Sequence, residues 1–254
     1  MNKEKQLSRR QAGFSLIEMI IAMAITITIT AVAGSLLAQS MNIRTRSSEK
    51  VDALADAQRA LNIMSREIAD AGFNLSDNGI VAGDSVTDAN GNSTIRIRSN
   101  LNKYNTAGNP FDPGSSVSTD AQNGIGVSTV VGEDQGEDVK YFVYAADNTN
   151  LLARYDRYRI AGGSSTVLAN RLDSLRIHYY AGKVSYSTVA GQTGCDITGA
   201  SAGEVSPGAA TYVVIAACVR LDAVGVPGSP GYQPESRVLL VSDVALRNSN
   251  LTIY

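Results

Sequence analysis

The residue whose chemistry is most at odds with its setting is Glu18. It is the only charge in an apolar run from Phe14 to about Ala38. Those 25 residues would span roughly 37 Å as a helix, enough to cross a bilayer core of about 30 Å. An acid at the centre of such a span costs roughly 2.5 to 3.5 kcal/mol even on the mildest scale, and an intramembrane carboxylate marks a functional position unless shown otherwise. Glu18 therefore calls for a partner of opposite charge.

Other residues could do chemistry, and each has a plainer reading. His178 is the single histidine of the chain; between tyrosines in an alternating stretch it reads as a surface or half-buried packing residue rather than a base. Glu133, Asp134, Glu137 and Asp138 crowd one glycine-containing loop and read as a solvated turn, because a working acid and base need differing environments. Asp88, Asn90 and Asn92 have the spacing of oxygen ligands, but the glycine falls in the fourth place and no glutamate follows at the interval a calcium loop requires. A tight turn is expected there, and no metal. Cys195 and Cys218 can pair if the domain lies outside the cytoplasm, or remain free thiols. Pairing would close a loop of about 24 residues, worth roughly 3.5 kcal/mol in the chain-entropy model. No nucleophile elbow, phosphate-binding loop or Cys/His metal spacing is present. No catalytic residue and no cofactor is assigned, and the chain reads as a non-enzyme.

The elements that must carry Glu18 follow from charge and periodicity. Of the formal charge of −2, residues 1 to 13 hold +3, from Lys3, Lys5, Arg9 and Arg10 against Glu4, which leaves −5 for the remainder. No basic face points to nucleic acid. A basic head before an apolar span predicts a cytoplasmic N-terminus and a translocated C-terminal domain. A secretory signal with cleavage near Ala31-Val32-Ala33 would fit the lengths, and so would a plain signal anchor, but neither has a use for Glu18.

Beyond the span the helical pattern continues. Val51, Leu54, Leu61, Met64, Ile68 and Ala71, with Ala57 or Gln58 filling the gap, recur at spacings near three and four. Arg59, Asn62, Arg66, Glu67 and Asp70 take the other faces. Gly72 is the expected stop. In the run Ile25 to Thr30, alternating isoleucines and threonines lower helix propensity. In lipid the helix still wins, with threonine hydroxyls bonding back to carbonyls. That stretch is expected to be soft enough to bend or partly melt on leaving the bilayer.

From Phe73 the pattern turns to loops and then to period two, around residues 94–98, 138–145, 175–180, 213–221 and 237–246. Clusters of Gly, Ser, Asn and Pro at Gly108 to Gly126 and Gly225 to Pro234 read as surface loops. The expected fold is α+β: one long helix, transmembrane in its first half and amphipathic in its second, packed on a single antiparallel sheet. The expected division is 1–13 as a leader, 14–38 as the membrane segment, 39–72 as its amphipathic continuation and 73–254 as the head.

Gly13-Phe14-Ser15-Leu16-Ile17-Glu18 behind a short basic leader resembles the type IV prepilin leader. The resemblance implies a pilin-like fold, cleavage after Gly13 by a prepilin peptidase, and methylation of the new amino group on Phe14. It further implies that Glu18 faces the N-terminal amine of a neighbouring subunit during assembly. Asp138 to Tyr144, Leu151 to Tyr155 and Val167 to Tyr180, with Arg59 to Phe73 and Val244 to Asn248, are similar in plan to PilW-like minor pilins and to J-type pseudopilins of type II secretion. A mature chain of 241 residues, 254 less 13, exceeds the usual principal subunit. The resemblance implies a minor pilin that starts or caps a filament, with major and minor pilins, the prepilin peptidase, the inner-membrane assembly platform and the membrane as partners. A pseudopilin of a secretion filament is the near alternative. A membrane-tethered adhesin with a ligand in the two long loops is the more distant one.

Overall fold

A computed structural model describes residues 15–73, 75, 77–99, 101, 135–146, 149–159, 163–189, 195–229 and 231–248. Gly13 and Phe14, the loop Gly108 to Gly126, and Glu133 and Asp134 lie outside the described residues. The chain divides into two compact units, residues up to 46 together with 224–234, and residues 47–223 together with the segment from 235 onward.

One helix, α1 (Leu16–Ala69), contributes to both. Within the first unit its apolar side chains are uncovered: Leu16, Ile17, Ile21, Ile27, Leu36 and Met41 are all more than half exposed. The Ile-Thr run is helical throughout, and the hydroxyls of Thr26, Thr28 and Thr30 donate to the carbonyls of Ala22, Ile25 and Thr26 at 2.7–2.8 Å. The back-bonding expected of threonine in an apolar helix is thus present. The loop 224–234 was expected at the surface of the sheet, but it packs on this helix. Arg46 Nη2 donates to the carbonyl of Pro234 at 2.9 Å, and Gly231 comes so close that a Cβ there would lie 2.6 Å from the Cα of Gln39. Backbone lying against backbone in this way requires glycine.

In the second unit α1 buries a stripe of Ala53, Ala57, Ala60, Leu61, Met64 and Ile68. Val51, expected on that stripe, is 63% exposed, and Ala57 rather than Gln58 fills the gap. The covered face runs through the alanines at 53, 57 and 60, and Val51 lies beyond its end.

Among the described residues nine strands follow: β1 (Ile95–Arg98), β2 (Asp138–Ala146), β3 (Thr149–Asp156), β4 (Ser164–Ala169), β5 (Leu172–Tyr180), β6 (Ser187–Val189), β7 (Asp196–Thr198), β8 (Tyr212–Leu221) and β9 (Ser236–Ala245). All pairings among them are antiparallel. The α+β architecture is the expected one, but the strands pair as a four-stranded sheet β1-β2-β3-β4, a three-stranded sheet β5-β8-β9 and a small β6-β7 hairpin, in place of one sheet. The break falls at Asn170-Arg171. Arg171 adopts φ 56°, a left-handed conformation that costs a non-glycine residue roughly 1–2 kcal/mol and turns the chain from one sheet into the next. Ile95, Val139, Tyr141 and Leu152 of the first sheet and Leu175, Val213, Ile215 and Val219 of the second close over the helix stripe as one apolar core.

Asp88–Asn92 is a tight turn, with the Asn92 amide donating to Asp88 Oδ1 at 2.7 Å. It also does something the sequence did not suggest. Asn92 and Ser93 accept the Leu175 and Ile177 amides through their side chains, while the Ser93 amide donates to the Leu175 carbonyl. The open edge of β5 is therefore covered.

The helix ends at a backbone crossing. Gly72 (φ 77°) donates its amide to the Arg98 carbonyl at 2.9 Å, and Arg98 donates in turn to Gly79. A Cβ on Gly79 (φ 73°) would lie 2.1 Å from the Gly72 nitrogen and 2.3 Å from the Arg98 oxygen. Those neighbours are main chain and cannot swing aside. Gly79→Ala is expected to destabilise the head by roughly 3 kcal/mol or more, the left-handed penalty plus backbone displacement. Urea unfolding followed by circular dichroism measures it; a midpoint equal to wild type would contradict this account of the crossing.

Candidate assembly segment and the charged clusters that hold the head

Glu18 lies in the first turn of α1, where a carboxylate complements the partial positive charge of a helix N-terminus. Its side chain is exposed, and among the described residues it forms no ion pair. Around it are Leu16, Ile17, Met19, Ile20 and Ile21, each 53–78% exposed. The mean hydropathy of the most apolar stretch of α1 is 2.2, and none of that stretch is covered by the other described residues. Such a surface is stable only in lipid or against other apolar helices. Segment and carboxylate together make an element that is incomplete in an isolated chain.

The second unit keeps its charges in built clusters. In the first, Glu67 of α1 accepts from Tyr141 Oη and from Arg154 Nε, the latter at 3.0 Å, and Arg154 Nη1 reaches Asp156 Oδ2 at 3.2 Å. Tyr141 is fully buried; burial, reinforced by the Glu67 charge, holds its phenol well above the ordinary range. This cluster ties α1 to β2 and β3. In the second, the Arg96 guanidinium forks onto Asp138 at 2.7 and 2.6 Å and also bonds Asp84 at 2.7 Å. The hydrogen bond from Arg96 holds the Asp84 carboxyl below its usual pKa. Asp138 and Glu137 are buried, which corrects the reading of both as parts of a solvated turn. Asp138 opens β2 opposite Arg98, one diagonal step from Arg96, and a buried carboxylate in that place needs the fork.

The third cluster surrounds His178 on β5. Its Nε2 lies 2.8 Å from Asp196 of β7, and its Nδ1 lies 2.7 Å from Glu204. Two carboxylates on the two ring nitrogens fit an imidazolium that donates from both. Burial opposes the charge, but Asp196 and Glu204 outweigh it and raise the pKa above the ordinary imidazole value. Nearby, Cys195 and Cys218 form a disulfide with Cα atoms 5.8 Å apart, which joins the start of β7 to β8. Tyr186 Oη donates to Asp243 of β9 at 2.5 Å. The β6-β7 hairpin is thus fastened over Tyr180, Tyr212 and Val214 on the outer face of the three-stranded sheet.

Sequence reasoning singled out His178 but not its partners, and it placed Glu67 off the apolar stripe, on one of the other faces of the helix. One signal was available. Glu67 sits three residues after Met64 and directly before Ile68, at the margin of the apolar stripe, where a long side chain reaches the core boundary.

Residues 8–34 match the prokaryotic N-terminal methylation motif. That motif is the leader of type IV pilin-like and pseudopilin proteins, which prepilin peptidase processes, and the match covers Arg9, Arg10, Gly13, Phe14, Glu18 and the start of α1. No curated protein and no solved structure matches the chain. The methylation motif therefore begins in the leader and ends inside the uncovered half of α1.

Two measurements test the clusters. Because His178 is the only histidine, its titration by NMR can be read without assignment, and its midpoint is expected above the ordinary value. A folded pKa above the unfolded one means that the stabilisation is fully present below the unfolded pKa and is lost as pH rises through the folded pKa. The melting temperature should therefore fall across that interval in wild type and not in His178→Gln; parallel pH profiles would refute the clamp. Removing Glu67 leaves Arg154, whose side chain is 13% exposed, with Asp156 as its remaining carboxylate partner among the described residues. Glu67→Ala is expected to lower stability by roughly 2–4 kcal/mol, measured by chemical denaturation, and Glu67→Gln by less, because an amide still accepts from Tyr141.

Proposed function

We propose that this chain is a minor subunit of a type IV pilus, acting as a structural protein in the initiating or tip complex of the filament rather than as an enzyme. The observation that carries the reading is the methylation motif on a helix whose apolar surface is left uncovered by the described residues. Before assembly the bilayer would cover that surface. Afterwards the helices of neighbouring pilins, major and minor, would do so. In this reading prepilin peptidase cuts after Gly13 on the cytoplasmic side and Phe14 becomes the methylated N-terminus.

Glu18 then supplies register. Its charge is stabilised when the amine of an adjacent subunit's first residue meets it, and leaving one member of a buried pair alone costs several kcal/mol. The head would face the periplasm and later the cell exterior, a compartment in which the Cys195–Cys218 bond persists. The size of the head and the strand plan shared with PilW-like chains support a minor rather than a principal subunit.

The mature protein, analysed by mass spectrometry, should begin at a methylated Phe14; a mature chain starting at Met1, or cut near Ala33, would overturn the proposal. Glu18→Ala is expected to leave cleavage and membrane insertion intact while reducing incorporation into filaments at least tenfold. Wild-type piliation by that variant would remove the role given to Glu18. Loss of secretion with piliation intact, on deletion of the whole chain, would move it to the pseudopilins.

A further inference from the structure

A polar cleft of about 380 Å³ opens where the two larger sheets meet. The β2-β3 hairpin contributes Thr149 and Asn150, the turn between β4 and β5 contributes Arg171 and Asp173, and the end of β8 contributes Arg220 and Asp222. Its volume falls in the range of small-ligand sites, but its lining is the reverse of the usual apolar one.

The charges of the wall are balanced and held in place. Arg171 is braced by Glu49 at 3.2 Å, Arg220 by Asp222 at 3.0 Å and Glu235 at 3.3 Å, and Asp173 by Arg237 at 2.8 Å. Asn150 leans toward the Asp173 carbonyl at 3.4 Å. Among the described lining residues the guanidiniums of Arg171 and Arg220 stand with the carboxylates of Asp173 and Asp222, so an anion meets two carboxylates and a cation meets two guanidiniums. Each guanidinium has five donors and each carboxylate about four acceptor positions, so both kinds remain beyond those the braces use. A ligand matched to such a wall is uncharged and carries many groups that donate and accept at once, which describes the hydroxyls of a sugar.

The backbone points to the same place. Arg171 is the one non-glycine residue with positive φ among the described residues, and its position in the cleft wall is kept at the cost of that strain. Strained non-glycine residues concentrate at binding sites. Glycine would relax the turn, but it would remove a guanidinium from the wall.

We propose that this cleft binds a neutral saccharide, one or two rings in size, by hydrogen bonds from Asn150, Arg171, Asp173 and Arg220. With no aromatic platform among its lining residues, binding is in the millimolar range. The proposal does not depend on the role of Glu18 or on the class of filament.

The test uses the full chain in detergent micelles and follows its 1H–15N spectrum as galactose, N-acetylglucosamine, lactose and maltose are added separately, with glycerol and glycylglycine as controls. At least one sugar should shift the amides of residues 149–150 and 171–173, saturating in the millimolar range, with neither control doing so at equal concentration. Arg171→Gly suits the left-handed turn and should fold with unchanged or higher thermal stability, yet weaken sugar binding at least fivefold. Asn150→Ala should do the same to binding. No sugar-dependent shift at these residues overturns the site. So do shifts of equal size with glycerol or glycylglycine, and so does unaltered sugar affinity in both variants.

Discussion

A carboxylate on an otherwise apolar helix can leave water only when a positive charge meets it. Among the described residues no cation approaches Glu18, and the helix around it is bare. The first turns of α1 therefore hold an exposed carboxylate among exposed apolar side chains, a surface that lipid or other apolar helices can cover. The rest of the structure is compatible with that demand. A helix in apolar surroundings has to satisfy its own polar groups, and the threonine back-bonds along residues 26–30 keep hydroxyls satisfied within it.

The same helix has the opposite task in the second unit, where it must be covered permanently. Alanines at 53, 57 and 60 and the larger Leu61, Met64 and Ile68 lie against two sheets at once. Burial of each large side chain contributes about 1.5–3 kcal/mol. That packing is non-directional, and rotation of the helix about its axis would be resisted only weakly by methyl groups alone. The Glu67–Tyr141–Arg154 contacts are directional, and they lie on one side of the stripe. Dispersion and burial hold the helix down, while the charged cluster sets its rotation.

Sheet division, hairpin fastening and cleft all trace back to the chain's change of sheet between β4 and β5. Arg171 absorbs the turn in a left-handed conformation, which separates the two larger sheets and leaves polar ends of three strands facing one another. The outer face of the second sheet would expose Tyr180, Tyr212 and Val214. The disulfide, the His178 clamp and the Tyr186–Asp243 bond keep the β6-β7 hairpin over that face.

What the amino-acid order determined by itself is whatever depends on near neighbours along the chain. The apolar run with its single acid, the basic leader, the long helix (Leu16–Ala69) that ends just before Gly72, the alternating strands and the tight turn at Asp88 are all set within a few residues, because helix and strand periods and turn chemistry are local. The end of the buried stripe was less legible: Val51 has the right spacing, but cover depends on where the sheets stop. The partners of charge were hidden altogether. Glu67 meets Arg154 across 87 residues, Arg96 meets Asp138 across 42, and His178 meets Asp196 across 18. Nothing in local spacing distinguishes these from solvated charges. Only the fold decided them, since a buried charge takes whichever opposite charge the packed core brings within reach, and that is fixed by strand register and sheet order rather than by position in the chain.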